Sequence, residues 1–316
     1  MTAPATPANA TSHTGGSVLR TSTRLGILGA VLTVMVWTNW IVSTRFMMQA
    51  QHPLSASLLS FIRFGTAAIL LAPAWWRFRI YPRQSPPLAL LGLMAAGLPY
   101  QFMVLWGLHY APASEAGPLL AGTLPLFIAL LSAVFLRERI TLYRAIGVGL
   151  ITQGVIAVLG QGLFDFAAGT WKGHLAILAA AGAWSVYTIA FRYSRLTGLE
   201  AAAFVGLWSV IVLLPFTAAD IWVEIQNAPA ATLAHQFLTQ GLLAGVLALL
   251  TYTTAVRHLG ASRATALTAL TPPMALLVGM LLLGERPGLW QMAGCALIVC
   301  GVVAASGVLG TRSRPS

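Results

Sequence analysis

Long apolar runs, separated by short polar clusters, alternate along the chain from Leu25 to Leu309. About 20 apolar residues carry an α-helix across the hydrocarbon core of a bilayer. Ten such runs are present, at 25–48, 55–76, 87–108, 114–136, 143–160, 173–191, 199–219, 236–256, 263–283 and 289–309. They predict ten helices, several of them holding Gly or Pro, which membrane helices tolerate. Most connections are short, so sequential helices are expected to be antiparallel neighbours. The longest, from about Ala218 to His235, contains Asp220 and Glu224 and predicts a short surface helix. Residues 1–24, rich in Thr, Ala, Ser and Pro, read as a disordered cytoplasmic tail, and 310–316 as a cytoplasmic tail. The first run is longer than a signal-peptide core and is not followed by a small-residue cleavage pattern. It reads as an uncleaved span.

Composition places these helices in lipid. The 316 residues are 58% hydrophobic and 8% charged, against about 25% charged in soluble domains. So few charges cannot cover a water-facing surface. The net charge of +11 could point to nucleic acid, but the basic residues stand singly or in small groups between apolar runs, and no long basic face exists. Their distribution fixes an orientation instead. With the N-terminus inside, the inner segments hold Arg20 and Arg24; Arg77, Arg79 and Arg83; Arg137, Arg139 and Arg144; Arg192 and Arg195; Arg257 and Arg263; and Arg312 and Arg314. The outer segments hold Lys172 and Arg286, and Arg45 and Arg63 fall within spans. Fourteen inside against two outside is a strong positive-inside bias. A missed or invented span would invert every later loop, so the bias also supports ten spans with both ends cytoplasmic. Cys295 and Cys300 share the last run, point in different directions, and read as small core residues.

The chain repeats itself at an offset of 147 residues. Gly26, Trp37 and Arg45 fall on Gly173, Trp184 and Arg192, with Trp40 on Tyr187 and Phe46 on Tyr193. Pro125, Glu138, Arg139, Gly147 and Gly154 fall on Pro272, Glu285, Arg286, Gly294 and Gly301. Between these blocks a one-residue shift aligns Ala113-Ser114 with Ala261-Ser262. Each unit has five spans, an odd number, so the second unit enters from the opposite side. The expected fold is therefore all-α and integral to the membrane, with ten transmembrane helices in two inverted-topology repeats (25–160 and 173–309, joined by a linker at 161–172). That architecture recurs in secondary transporters, with the site between the repeats near mid-membrane and alternating access following from the symmetry.

This pattern resembles the EamA-like family of the drug/metabolite transporter superfamily. The residues that carry the resemblance are the Trp37-x7-Arg45 helix, the Phe61-Ile-Arg63-Phe segment, and the block from Gly107-Leu-His-Tyr through Pro125 to Glu138-Arg139. A second block, from Ala261-Ser-Arg-Ala through Pro272-Pro273 to Glu285-Arg286, completes it. The resemblance spans about residues 25–309. It implies an inner-membrane carrier, often an exporter of amino acids, metabolites or toxic compounds. It further implies that the first four spans of each repeat line a cavity and the fifth spans pack outside.

Arg63 is the most informative single residue. An arginine near the bilayer centre costs about 2.5–3.5 kcal/mol on insertion scales, so it should face a wet cavity or a partner. It is either an anion contact in the transport path or a structural residue bonded to neighbouring carbonyls. Arg45, nearer a span end, can snorkel to headgroups. Glu115 could pair with Arg63 or carry a proton, or it could serve the dipole of a helix capped by Ser114. Pro125, Pro272 and Pro273 lie in mid-span and are hinge candidates, since proline frees a carbonyl and bends a helix. Further path candidates are Trp37, Asn39, Tyr100, Gln101, Trp184, Tyr187 and Tyr252, the two amides because an unpaired amide is costly in lipid. Glu138-Arg139 and Glu285-Arg286 are expected to organise tight turns. His109 and His258 stand apart from other metal ligands, and no cofactor or metal is expected.

The leading expectation is a secondary carrier exporting amino-acid-like or drug-like metabolites. Its partners would be a small-molecule substrate and the lipid bilayer, with a homodimer left open. No phosphate-binding loop is present. An integral-membrane enzyme would call for clustered His, Asp or Glu, and a receptor or scaffold for sizeable soluble segments. The chain has neither.

Overall fold

The computed structural model describes residues 14–77, 81–136, 141–160 and 169–306. The chain folds as α1 (Thr14–Met48), α2 (Ala56–Leu70), α3 (Ala72–Arg77), α4 (Pro87–Leu93), a 3-10 turn (Met94–Ala96) and α5 (Leu98–Tyr110). It continues as α6 (Ala113–Leu120), α7 (Leu124–Leu136), α8 (Leu142–Leu159), α9 (Thr170–Tyr193), α10 (Gly198–Asn227) and α11 (Ala230–Gln236). A π-helical stretch (Phe237–Leu247) leads into α12 (Ala248–Leu259), α13 (Ala261–Thr268), α14 (Thr271–Leu283) and α15 (Leu289–Ala305). Among the described residues no strand is present. Among the described residues eight helical rods are long and apolar enough to cross a membrane, and Ala56–Leu70 and Leu289–Ala305 are apolar but shorter. Large side chains such as Leu88, Phe216 and Leu289 are exposed. They need lipid to cover them, and the protein is a multi-pass helical membrane protein.

Several expectations are corrected. Helix α1 starts at Thr14, inside the stretch expected to be disordered. The connection expected from about Ala218 to His235 is shorter than its polar residues suggest, and its short helix is α11, Ala230–Gln236, which runs on into the next span. Helix α10 runs unbroken to Asn227, and Glu224 near its end accepts hydrogen bonds from the Ser55 N–H (2.6 Å) and Oγ (2.5 Å) at the start of α2. Pro125, Pro272 and Pro273 do not bend continuous helices. Each stands in the first turn of a new helix, where its missing N–H leaves nothing unpaired. The spans of α6–α7 and α13–α14 are thus broken rods with loose turns at mid-length.

Small residues set the packing. A Cβ on Gly154 would lie 2.6 Å from the carbonyl oxygen of Gly294, and one on Gly147 would lie 2.6 Å from that of Gly301. Helices α8 and α15 therefore touch backbone to backbone and antiparallel, the close approach that small residues allow in membranes. Gly294 and Gly301 are the repeat mates of Gly147 and Gly154, so the contact is two-fold. The same relation links α1·α12 with α5·α9: Gly26 meets Leu259 as Gly173 meets Ala111. One pair departs from it. Helix α6 packs on α14, whereas their repeat mates α13 and α7 stand apart, across the cavity described below.

Candidate functional site

Between α7 and α13 lies a cavity of ≈ 560 Å³, walled also by α1, α2, α9, α10 and α12. Its closed end is a recess of ≈ 50 Å³ lined by Trp37, Trp40, Arg63, Tyr100, Trp184 and Thr271. Its mouth lies at Phe191, Gly198, Arg257 and Thr265, at the helix ends that carry Arg192, Arg195, Arg257 and Arg263.

Arg63 marks the closed end. Its Nη1 donates to Gln101 Oε1 (3.1 Å), and its guanidinium carbon lies 4.7 Å from the Trp40 ring centroid and 6.0 Å from that of Tyr100. A cation over aromatic faces is favoured by about 0.5–2 kcal/mol, which holds the group without neutralising it. Trp40 is itself held: Nε1 donates to Gln240 Oε1 (2.8 Å), and Gln240 Nε2 donates to Thr44 Oγ1 (2.8 Å). The π-helical stretch supplies Gln240 and, one turn on, Gly245, where a Cβ would come within 3.0 Å of the Arg63 carbonyl oxygen. From Tyr100 a chain of rings lines one wall: Tyr100–Trp184 (4.9 Å), Trp184–Tyr187 (5.3 Å) and Tyr187–Phe191 (6.2 Å). Trp37 and Tyr252 pair at 5.6 Å on the other side.

At the opposite face the bundle is sealed. The Glu285 carboxylate accepts from the backbone N–H groups of Ala113 and Ser114, both at 2.7 Å, and so caps α6 from the other half of the chain. Gly279 leaves room for it, since a Cβ there would meet Glu285 Oε2 at 2.7 Å. Arg45 Nη1 donates to the carbonyls of Leu108 (2.7 Å) and His109 (2.8 Å), and its Nε lies 4.0 Å from Glu285. Beside them Glu115 pairs with buried His174 at 2.6 Å and accepts from Gln291 at 3.4 Å. Four separate stretches of chain meet in this layer.

The fold gathers Arg63, Trp37, Tyr100, Trp184, Tyr187, Tyr252 and Pro125 at the cavity. Gln101 is fully buried behind Arg63 and supports it rather than facing the cavity. Asn39 does not line it. It is exposed on the outer side of α1, because the helical repeat turns Trp37, Trp40 and Ile41 inward and Asn39 away. Glu115 does not pair with Arg63; it lies in the opposite seal with His174. Ser114 does not cap α6 with its side chain, since the Glu285 carboxylate takes that place. Arg45 binds backbone carbonyls rather than headgroups. Glu285 does more than form a turn, and Glu138 lies outside the described residues. Pro272 packs against Gly117, and Pro273 shares its first turn. His174 and Gln240 look ordinary in the chain and acquire partners only across it, and Arg257, counted there only as an inner charge, lines the cavity. Among the described residues no group of three or more His, Cys, Asp or Glu is gathered.

A lipid-exposed helical bundle with a chamber between two sequence repeats has the build of a membrane transporter. The chain belongs to the EamA-like transporter family, whose pattern matches residues 24–160 and again 171–307. It is 34% identical over 281 residues to the "Probable terminal-alkyne amino-acid exporter" of Streptantibioticus cattleyicolor, covering 86% of this chain and 90% of that protein. The uncharacterized transporter YdfC of Bacillus subtilis is 28% identical over 282 residues, covering 86% and 87%. The aromatic amino acid exporter YddG of Ancylobacter novellus is 39% identical over 95 residues, covering 29% and 33%. A crystal structure superposes with a TM-score of 0.57 at 21% identity, over 93% of this chain and 98% of that one, a likeness of fold.

Proposed function

We propose that this transporter is a secondary carrier of the cell (inner) membrane that exports small organic metabolites by alternating access. It has ten spans in two inverted repeats, with both ends cytoplasmic. The observation that carries the reading is the broken symmetry: α6 is packed on α14 while their mates α13 and α7 flank an open cavity. A molecule with two equivalent gates, one shut and one open, has an obvious second state in which they exchange. With the arginine-rich face inside, the open gate faces the cytoplasm. The two short helices fit ten spans: α2 continues through α3, and the 17 residues of α15 lie at the lower limit of about 17 for a span.

The relatives named as amino-acid exporters support an amino-acid-like or drug-like cargo, and the aromatic wall suits a ring. The test is solute flux into liposomes holding purified protein, over a broad panel. We expect saturable flux that Arg63→Ala lowers about tenfold or more, as loss of one charge-assisted contact implies, with Arg45→Ala less impaired. A panel showing no flux above protein-free vesicles, with folded protein verified, counts against the carrier. Equal flux in the two variants removes Arg63 from the path.

A further inference from the structure

The chamber is charged on one side of the ledger only. Glu115 is paired with His174, Glu285 caps α6, Glu200 caps α10 with Thr197, Glu224 holds Ser55, and Asp220 is exposed on α10. Among the described residues no carboxylate lines the cavity, and no histidine does. Its ionic groups are Arg63 at the closed end and Arg257 at the mouth. The contacts of Arg63 with Gln101, Trp40 and Tyr100 are all to neutral groups.

We infer that the cargo is an organic monocarboxylate bearing one ring-sized apolar group, and that it crosses as a net anion, so that export is electrogenic. This rests on the carrier reading above and departs from its amino-acid-like cargo, which the names of two relatives support, in favour of anions without an ammonium. A carboxylate matches the guanidinium fork of Arg63, and the rings of Trp37, Trp184 and Tyr187 receive the apolar part. Arg257 raises the local anion concentration at the mouth. The ammonium of a zwitterion would meet aromatic faces, which favour a cation by about 0.5–2 kcal/mol, but no carboxylate among the described lining residues, so the lining favours the carboxylate end of a cargo over an ammonium. A coupled proton needs a titratable carboxylate or imidazole in the path, and the described lining offers none. The cargo's own charge is then the charge moved per cycle. An inside-negative potential expels an anion without any partner ion. One elementary charge through 100 mV corresponds to an anion gradient of about fifty-fold.

The test uses the full chain in liposomes with three probes that share one ring: phenylpyruvate (anion), phenylalanine (zwitterion) and phenethylamine (cation). A potassium gradient with valinomycin sets the interior positive by about 100 mV. We expect phenylpyruvate to accumulate toward about fifty-fold, to be expelled when the potential is reversed, and to ignore an imposed pH gradient. Phenylalanine should move slowly and without regard to potential. Arg63→Lys should keep the potential dependence at a lower rate, and Arg63→Gln should lose the preference for the anion over phenylalanine. Fast phenylalanine flux with phenylpyruvate excluded overturns the inference and leaves the carrier intact, as does phenylpyruvate flux that follows the pH gradient. Flux of none of the three overturns the inference. The carrier reading falls with it only when the broad solute panel is silent as well.

Discussion

Glu285 offers the sharpest test of the proposed gate. Its two carboxylate oxygens each accept one 2.7 Å hydrogen bond from the first turn of α6. A hydrogen bond to a charged group contributes about 1.5–3 kcal/mol. Water replaces part of this in Glu285→Ala, since a helix N-terminus beside a seal is easily wetted. About 3 kcal/mol is a fair net loss, and it falls on the sealed state alone, because the bonds are broken in any open one. Under the proposed alternating access the equilibrium should then shift about 150-fold toward the state open at this face. Glu285→Gln keeps one acceptor oxygen and should shift it about tenfold. The assay places Thr271→Cys, which lines the closed recess and is fully buried, in a background of Cys295→Ala and Cys300→Ala. A membrane-impermeant maleimide is then added at the Glu285 face. Labelling should rise steeply in Glu285→Ala and modestly in Glu285→Gln. Unchanged labelling in a folded Glu285→Ala protein would refute the assignment of this contact as a gate.

Three further outcomes are expected. Gly154→Leu should lower the thermal unfolding temperature sharply, because its Cβ would meet the Gly294 backbone at 2.6 Å and overpacking costs about 1–3 kcal/mol or more. Gly149→Leu is the control, with nothing within 4 Å, and a similar loss there would discredit the packing argument. Gln101→Leu should reduce flux about tenfold, since Arg63 loses the acceptor that orients it. Asn39→Leu should leave flux and stability unchanged within about 0.5 kcal/mol, and a defect equal to that of Gln101→Leu would mean that the outward face of α1 is part of the path.

The comparison of Asn39 with Gln101 shows how far a sequence can be read. Both are amides in apolar runs, and chemistry alone ranks them equally. Only the phases of α1 and α5 against their neighbours turn Asn39 outward and bury Gln101. Glu115 is a similar case. Its position at the start of a span is plain from the chain, but the choice between Arg63 and His174 depends on which helix end it meets. His174 and Gln240 carried no local signal, because their partners lie 59 residues and 196 or more residues away in the chain. The prolines were legible as special positions. Whether they bend a helix or begin one depended on where the preceding helix stopped.

The membrane bundle, its repeat and the place where Arg63 interrupts an apolar run are all legible in the chain. These follow from sums over many residues: a deficit of charge, the period of apolar runs, and an offset at which rare residues coincide. Such sums survive the loss of any one residue. Only the assembled bundle shows which of the two symmetry-related helix contacts is closed: α6 packs on α14, while α7 and α13 flank the cavity. The repeats are related by symmetry in sequence, and symmetry cannot say which of the two contacts forms. That choice is made by short-range contacts, the Glu285 cap on α6 above all, whose strength depends on distances that only the assembled bundle sets.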